Sequence, residues 1–69
     1  MTGAQQIKKI RLQLGLTKDQ FASLLGVGRM VVYYYENGKR RPSPNRLLKI
    51  KAIAKKKGIH ILIDDLLKN

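Results

Sequence analysis

The sequence predicts an all-α fold: a compact set of four to five short helices around a thin core. Two observations point to it. Apolar residues recur at intervals of three and four, the spacing that lines one face of a helix. Each periodic stretch is also bracketed by an N-cap residue in front and a glycine behind. A third observation, the absence of cysteine from the 69 residues, excludes a disulfide framework, a thiolate zinc site and a cysteine nucleophile. A chain this short buries only about 60% of the surface its unfolded form exposes, so helix packing has little core to work with.

The first helix is predicted over residues 2–14. Thr2 and Gln5 have capping-box spacing, and Ile7, Ile10, Arg11 and Leu14 share one face. Gly15 suits the left-handed position after the last turn. Thr17 and Gln20 form a second capping box, with Leu16 placed to staple onto Phe21. Phe21, Leu24 and Leu25 supply the buried stripe of this second helix, with the small Ala22 among them, and Gly26 ends it. After the turn at Val27 and Gly28, a third helix runs from Arg29 to Glu36. Val31 and Val32 are weak helix formers, so packing must hold it. Asn37-Gly38 is a turn signal and Lys39-Arg40-Arg41-Pro42 a basic loop. Ser43 caps a fourth helix with Pro44 at its first position, and this helix extends to about Lys57, closed by Gly58. The tail reads two ways. Ile59, Ile61 and Ile63 alternate as in a strand, while Asp64 can cap a last helical turn through Leu67.

Charge narrows the function. The net charge is +11, from 15 Lys and Arg against 4 Asp and Glu. Positions 39–57 carry Lys39, Arg40, Arg41, Arg46, Lys49, Lys51, Lys55, Lys56 and Lys57, and no acid lies between Glu36 and Asp64. A field this positive favours a polyanionic partner. One histidine, His60, leaves no second imidazole for a metal site or an acid–base pair, so no metal and no cofactor is expected. With no nucleophile–base constellation, an enzyme is not expected either. No apolar run approaches the roughly 20 residues of a membrane span, and the N-terminus lacks a signal-peptide layout. The expectation is a cytoplasmic domain over residues 1–69 that works by binding, with no membrane partner.

Short helix, tight turn, short helix in a basic chain is the helix-turn-helix arrangement, here over residues 17–36. Counting from Lys18, the fifth position is Ala22, small enough for two helices to cross, and the ninth is Gly26, free to take positive φ. Phe21, Leu25, Val27, Val32 and Tyr35 fall at core-facing positions of the same unit. With Ile10-Arg11-Leu12, Leu14-Gly15-Leu16-Thr17, Phe21-Ala22, Leu24-Leu25-Gly26-Val27, Tyr35-Glu36-Asn37-Gly38-Lys39, Pro42-Ser43-Pro44 and Leu47-Leu48-Lys49-Ile50, the chain resembles the lambda-repressor-like (Cro/C1-type, XRE) DNA-binding family from Ile7 to Ile53.

That resemblance implies that the second helix abuts the phosphate backbone and the third lies in the major groove. It places Lys18 at the DNA through the second helix's N-terminus. Gly28, where the family commonly has Ser or Thr, keeps a backbone N–H for phosphate but brings no side-chain cap. Arg29 is the candidate base reader, able to donate twice to guanine; a phosphate clamp is its other role. Met30 is placed to pack on a thymine methyl or to stand as a surface filler. Tyr34 and Tyr33 match DNA-facing positions, with a dimer contact or a plainly exposed ring as the alternatives. Asn37, Lys39, Arg40 and Arg41 match the segment that contacts the backbone. Arg11 and Glu36 match a structural ion pair joining the first helix to the end of the third.

The function implied is that of a sequence-specific regulator of transcription, a small bacterial or phage-type repressor. It would bind double-stranded DNA at an inverted repeat as a homodimer. The tail, residues 59–69, either dimerises or closes the monomer's core. The alternative is an antitoxin-like protein that binds a protein partner, a toxin or co-regulator, and represses its own operon. Binding by charge alone, to nucleic acid or an anionic surface, is a weaker third.

Overall fold

The computed structural model describes residues 2–62 and Leu66. Over residues 2–62 four helices follow one another: α1 (Gly3–Gln13), α2 (Lys18–Leu25), α3 (Arg29–Glu36) and α4 (Pro44–Lys56). No strand occurs among the described residues. The fold is all-α, as the periodicity predicts.

Local chemistry sets the helix ends. Thr2 accepts from the Gln5 backbone N–H at 3.1 Å, and the Gln5 side chain accepts from the Thr2 N–H at 2.8 Å. Thr17 and Gln20 repeat the arrangement at 3.1 and 2.9 Å. Ser43 accepts from the Arg46 N–H at 3.3 Å, with Pro44 at the first helical position. Gly28 caps α3 without a side chain, so that helix starts with one fewer donor satisfied. At the other end of α2, Gly26 sits at φ +72°, a conformation that a Cβ opposes. There the Val27 N–H reaches back to the Ala22 carbonyl at 3.0 Å, which closes α2 and turns the chain into α3.

The core forms where these faces meet. α3 packs against α1 and α2, and α4 packs against α2. Ile7, Ile10, Phe21, Ala22, Leu25, Val32, Tyr35, Leu47, Ile50, Ala54 and Leu66 are buried. Phe21, Leu25, Val32 and Tyr35 are among the positions that the helix-turn-helix spacing assigns to the core. Val27, the remaining one, is partly buried against it.

One expectation is corrected. Leu24, expected in the buried stripe of the second helix, is 47% exposed. At about 100° per residue, Phe21, Leu25 and Ala22 span the narrow arc that an eight-residue helix presents, and Leu24 falls beyond its edge. In the tail, the alternation is real but forms no strand over the described residues. Ile59 and Ile61 pack against the core while His60 and Leu62 face outward, and Leu66 is helical and buried. The assignments made to Ile63, Asp64 and Leu67 lie outside the described residues. No helix among the described residues is long and apolar enough to cross a membrane.

Candidate nucleic-acid interface

α3 has two faces. Val32 and Tyr35 are buried, and Val31 is partly buried against the same core. On the opposite arc Arg29, Met30 and Tyr33 follow helical spacing into the open, with Met30 57% exposed and Tyr33 38%. The buried side fixes the helix's rotation about its axis, so it also fixes which side chains stand outward. Tyr34 lies between the faces and is half-buried. The three consecutive tyrosines therefore have three different environments, as a 100° step demands.

The end of α3 is built around Tyr33. Its ring meets that of Tyr34 edge to face, with centroids 5.9 Å apart. The Lys39 ammonium sits 5.8 Å from the Tyr33 ring centroid, within range of a cation–π attraction. The Asn37 side-chain amide donates to the Tyr33 carbonyl at 2.8 Å. That bond commits one Asn37 donor to helix termination. The backbone N–H of Lys39 donates to the Tyr34 carbonyl at 2.9 Å. These bonds turn the chain off the helix, so that Lys39, Arg40 and Arg41 emerge exposed, with Lys39 beside the Tyr33 ring.

At the other end of α3, Gly28 and Arg29 are exposed. The Arg29 Nε lies 3.7 Å from an Asp19 carboxylate oxygen, with both side chains about two-thirds exposed (69% and 70%). Lys18, the first residue of α2, is half-buried. The starts of α2 and α3 are thus drawn together at one edge, although the sequence separates them by a helix and a turn.

Arg11 and Glu36 lie within the fold, away from this exposed arc. The Arg11 Nε donates to Glu36 Oε2 at 2.6 Å and Nη2 to Oε1 at 3.2 Å, a two-pronged pair whose side chains are only 9% and 2% exposed. The third nitrogen, Nη1, donates to the Leu16 carbonyl at 2.9 Å. One guanidinium therefore ties α1 to the end of α3 and to the segment entering α2.

Two contacts escape a reading of the sequence. One is the Asp19–Arg29 pair. The other is Arg46, whose Nη1 donates to the Leu25 carbonyl at the end of α2 at 2.9 Å. The Lys49 ammonium reaches the same helix end, 3.9 Å from where a Cβ on Gly26 would stand. A cation there complements the negative end of the α2 dipole. Two members of the basic run thus serve α2 from α4. No local pattern marks the Arg46 bond, because its partner is a backbone carbonyl 21 residues away.

A family model for helix-turn-helix domains matches residues 7–56, well over half of the chain. The chain belongs to the Cro/C1-type helix-turn-helix family. The matched span runs from Ile7, within α1, through α2 and α3 to the last residue of α4. Family members are DNA-binding regulators, and this is the function that membership carries to the chain. No curated protein matches it closely enough to narrow that further.

Proposed function

We propose that the protein is a sequence-specific regulator of transcription, a small Cro/C1-type repressor that binds double-stranded DNA with α3 in the major groove. One observation carries this reading. The outward arc of α3 bears Arg29, Met30 and Tyr33 and is flanked by exposed Lys39, Arg40 and Arg41, while its opposite face is locked into the core. A helix with its side chains is about 10–12 Å across, which fits the roughly 12 Å width of the groove it would enter. In this reading Arg29 reads a guanine and Met30 packs on a thymine methyl. Tyr33, Tyr34 and Asn37 hold sugar and phosphate, and Lys18, the Gly28 backbone, Lys39, Arg40 and Arg41 neutralise phosphates. Arg11 and Glu36 keep the helices in register.

One such motif spans few base pairs, so the reading includes a homodimer on an inverted repeat. Residues 1–69 act as one binding unit in the cytoplasm of a bacterium or of a phage-infected cell. The test is selection of binding sites from random duplex DNA at physiological salt. An enriched inverted repeat is expected, and its half-site spacing reports the dimer geometry. Binding without enrichment would overturn sequence-specific regulation and leave charge-driven binding in its place.

A further inference from the structure

We propose that Asp19 is a positioning residue for Arg29, one that makes the arginine a base reader and not a phosphate clamp. The inference rests on the DNA-binding reading above and deepens it.

Asp19 is out of place by charge. The whole sequence has only four acids against 15 Lys and Arg, and Glu36 is consumed in a buried pair. Asp19 instead stands about 70% exposed in the first turn of α2, at the edge where the starts of α2 and α3 converge. In the docked complex that edge approaches a polyanion, and a carboxylate there costs affinity for every sequence alike. Its position in the first turn of α2 favours the helix dipole, a role that any exposed first-turn acid fills. The dipole does not require a cation beside it, and the structure provides one: Arg29, through its Nε.

The point of attachment matters. At 3.7 Å the contact is an ion pair and not a hydrogen bond, so it biases the side chain without immobilising it. It engages the Nε edge of the guanidinium. The two terminal nitrogens, with four N–H donors between them, stay free, and a pair of these donors matches guanine O6 and N7. An arginine without such a partner is drawn to the nearest phosphate, which carries no sequence information. Asp19 opposes that outcome in two ways: it repels the phosphate that would compete, and it holds the guanidinium on the major-groove side of α3. The attraction is small in the free protein, where water and salt screen it, and grows as docking expels water from the edge.

The test compares four proteins: wild type, Asp19→Asn, Arg29→Ala and the double variant. Dissociation constants are measured by fluorescence anisotropy on the selected site and on random duplex at one fixed ionic strength. Melting curves check that each variant is folded. Asp19→Asn is expected to tighten random DNA more than the selected site, so that the ratio of the two affinities falls by about two- to fivefold, the size of an exposed ion pair. With Arg29 already replaced, the same change is expected to shift both DNAs equally and leave the ratio where Arg29→Ala put it. Asp19→Glu, which keeps the charge, is expected to retain most of the wild-type ratio. An unchanged ratio in Asp19→Asn overturns the inference. So does an equal fall in the Arg29→Ala background, which would make Asp19 a general repulsive charge. Failure of the wild-type protein to enrich any site overturns the function itself, and this role with it.

Discussion

Replacing Glu36 with alanine tests the frame on which the exposed arc depends. The substitution removes both acceptors of the Arg11 fork, at 2.6 and 3.2 Å, and leaves the guanidinium with one bond, to the Leu16 carbonyl. The Arg11 side chain is only 9% exposed, so water recovers little of what is lost. Removing one partner of a buried pair costs about 3–5 kcal/mol, because the other charge is stranded. The rim of Arg11 that does reach solvent, and the bond it keeps, place the expected loss near the lower bound, at about 3 kcal/mol. For a domain of this size each kcal/mol moves the midpoint by about 4–8 °C, so the Tm is expected to fall by roughly 12–24 °C. A chain of this length has only about 3–10 kcal/mol of stability in total, so the variant is expected to be marginal at room temperature. Thermal melting followed by far-UV circular dichroism reads the effect. A companion variant, Arg11→Met with Glu36→Leu, removes both charges and is expected to recover most of the loss, since no charge is left stranded. A Tm for Glu36→Ala within about 3 °C of wild type, well under one kcal/mol, would refute the reasoning.

Further expectations concern the interface and the turn. Lys39→Ala should weaken binding to all duplexes alike and reduce the slope of log K against log salt by about 0.9, one phosphate contact; a loss confined to the selected site would contradict this. Arg29→Ala should cost about 1–3 kcal/mol on the selected site and relax preference at one base pair, whereas equal losses on selected and random DNA would remove its base-reading role. Gly26→Ala forces a Cβ into φ +72° and should destabilise the fold by about 1–2 kcal/mol in chemical denaturation, although the added Cβ meets only ordinary contacts, with Lys49 Nζ at 3.9 Å and Arg46 Nη1 at 4.0 Å. Thr17→Ala removes half of a capping box and should cost about 1 kcal/mol by the same measurement, with no change in cooperativity.

What could be read from the sequence about this protein is what lies within a few residues along the chain. Thr2 with Gln5, Thr17 with Gln20 and Ser43 with Pro44 each announce a helix start, because a cap bonds to the backbone three residues on. Phe21, Leu25, Val32 and Tyr35 are legible as core for a similar reason: a tight two-helix unit repeats one geometry, so its spacing marks its inward residues. The Arg11–Glu36 pair was accessible only through family resemblance, since nothing in either neighbourhood points to a partner 25 residues distant.

Tertiary structure alone decided the rest. It turned Leu24 to the surface, because only a narrow arc of a short helix meets the core. It seated Ile59 and Ile61 against that core without a strand to hold them. It directed Arg46 to the end of α2, and it brought Asp19 beside Arg29 across the turn. Each depends on how whole helices are oriented, which follows from the summed burial of all their faces and not from any one stretch of sequence. The composition shows that this chain carries strong positive charge. Which of those charges are held by the fold and which are left free for a partner is settled only when the helices pack.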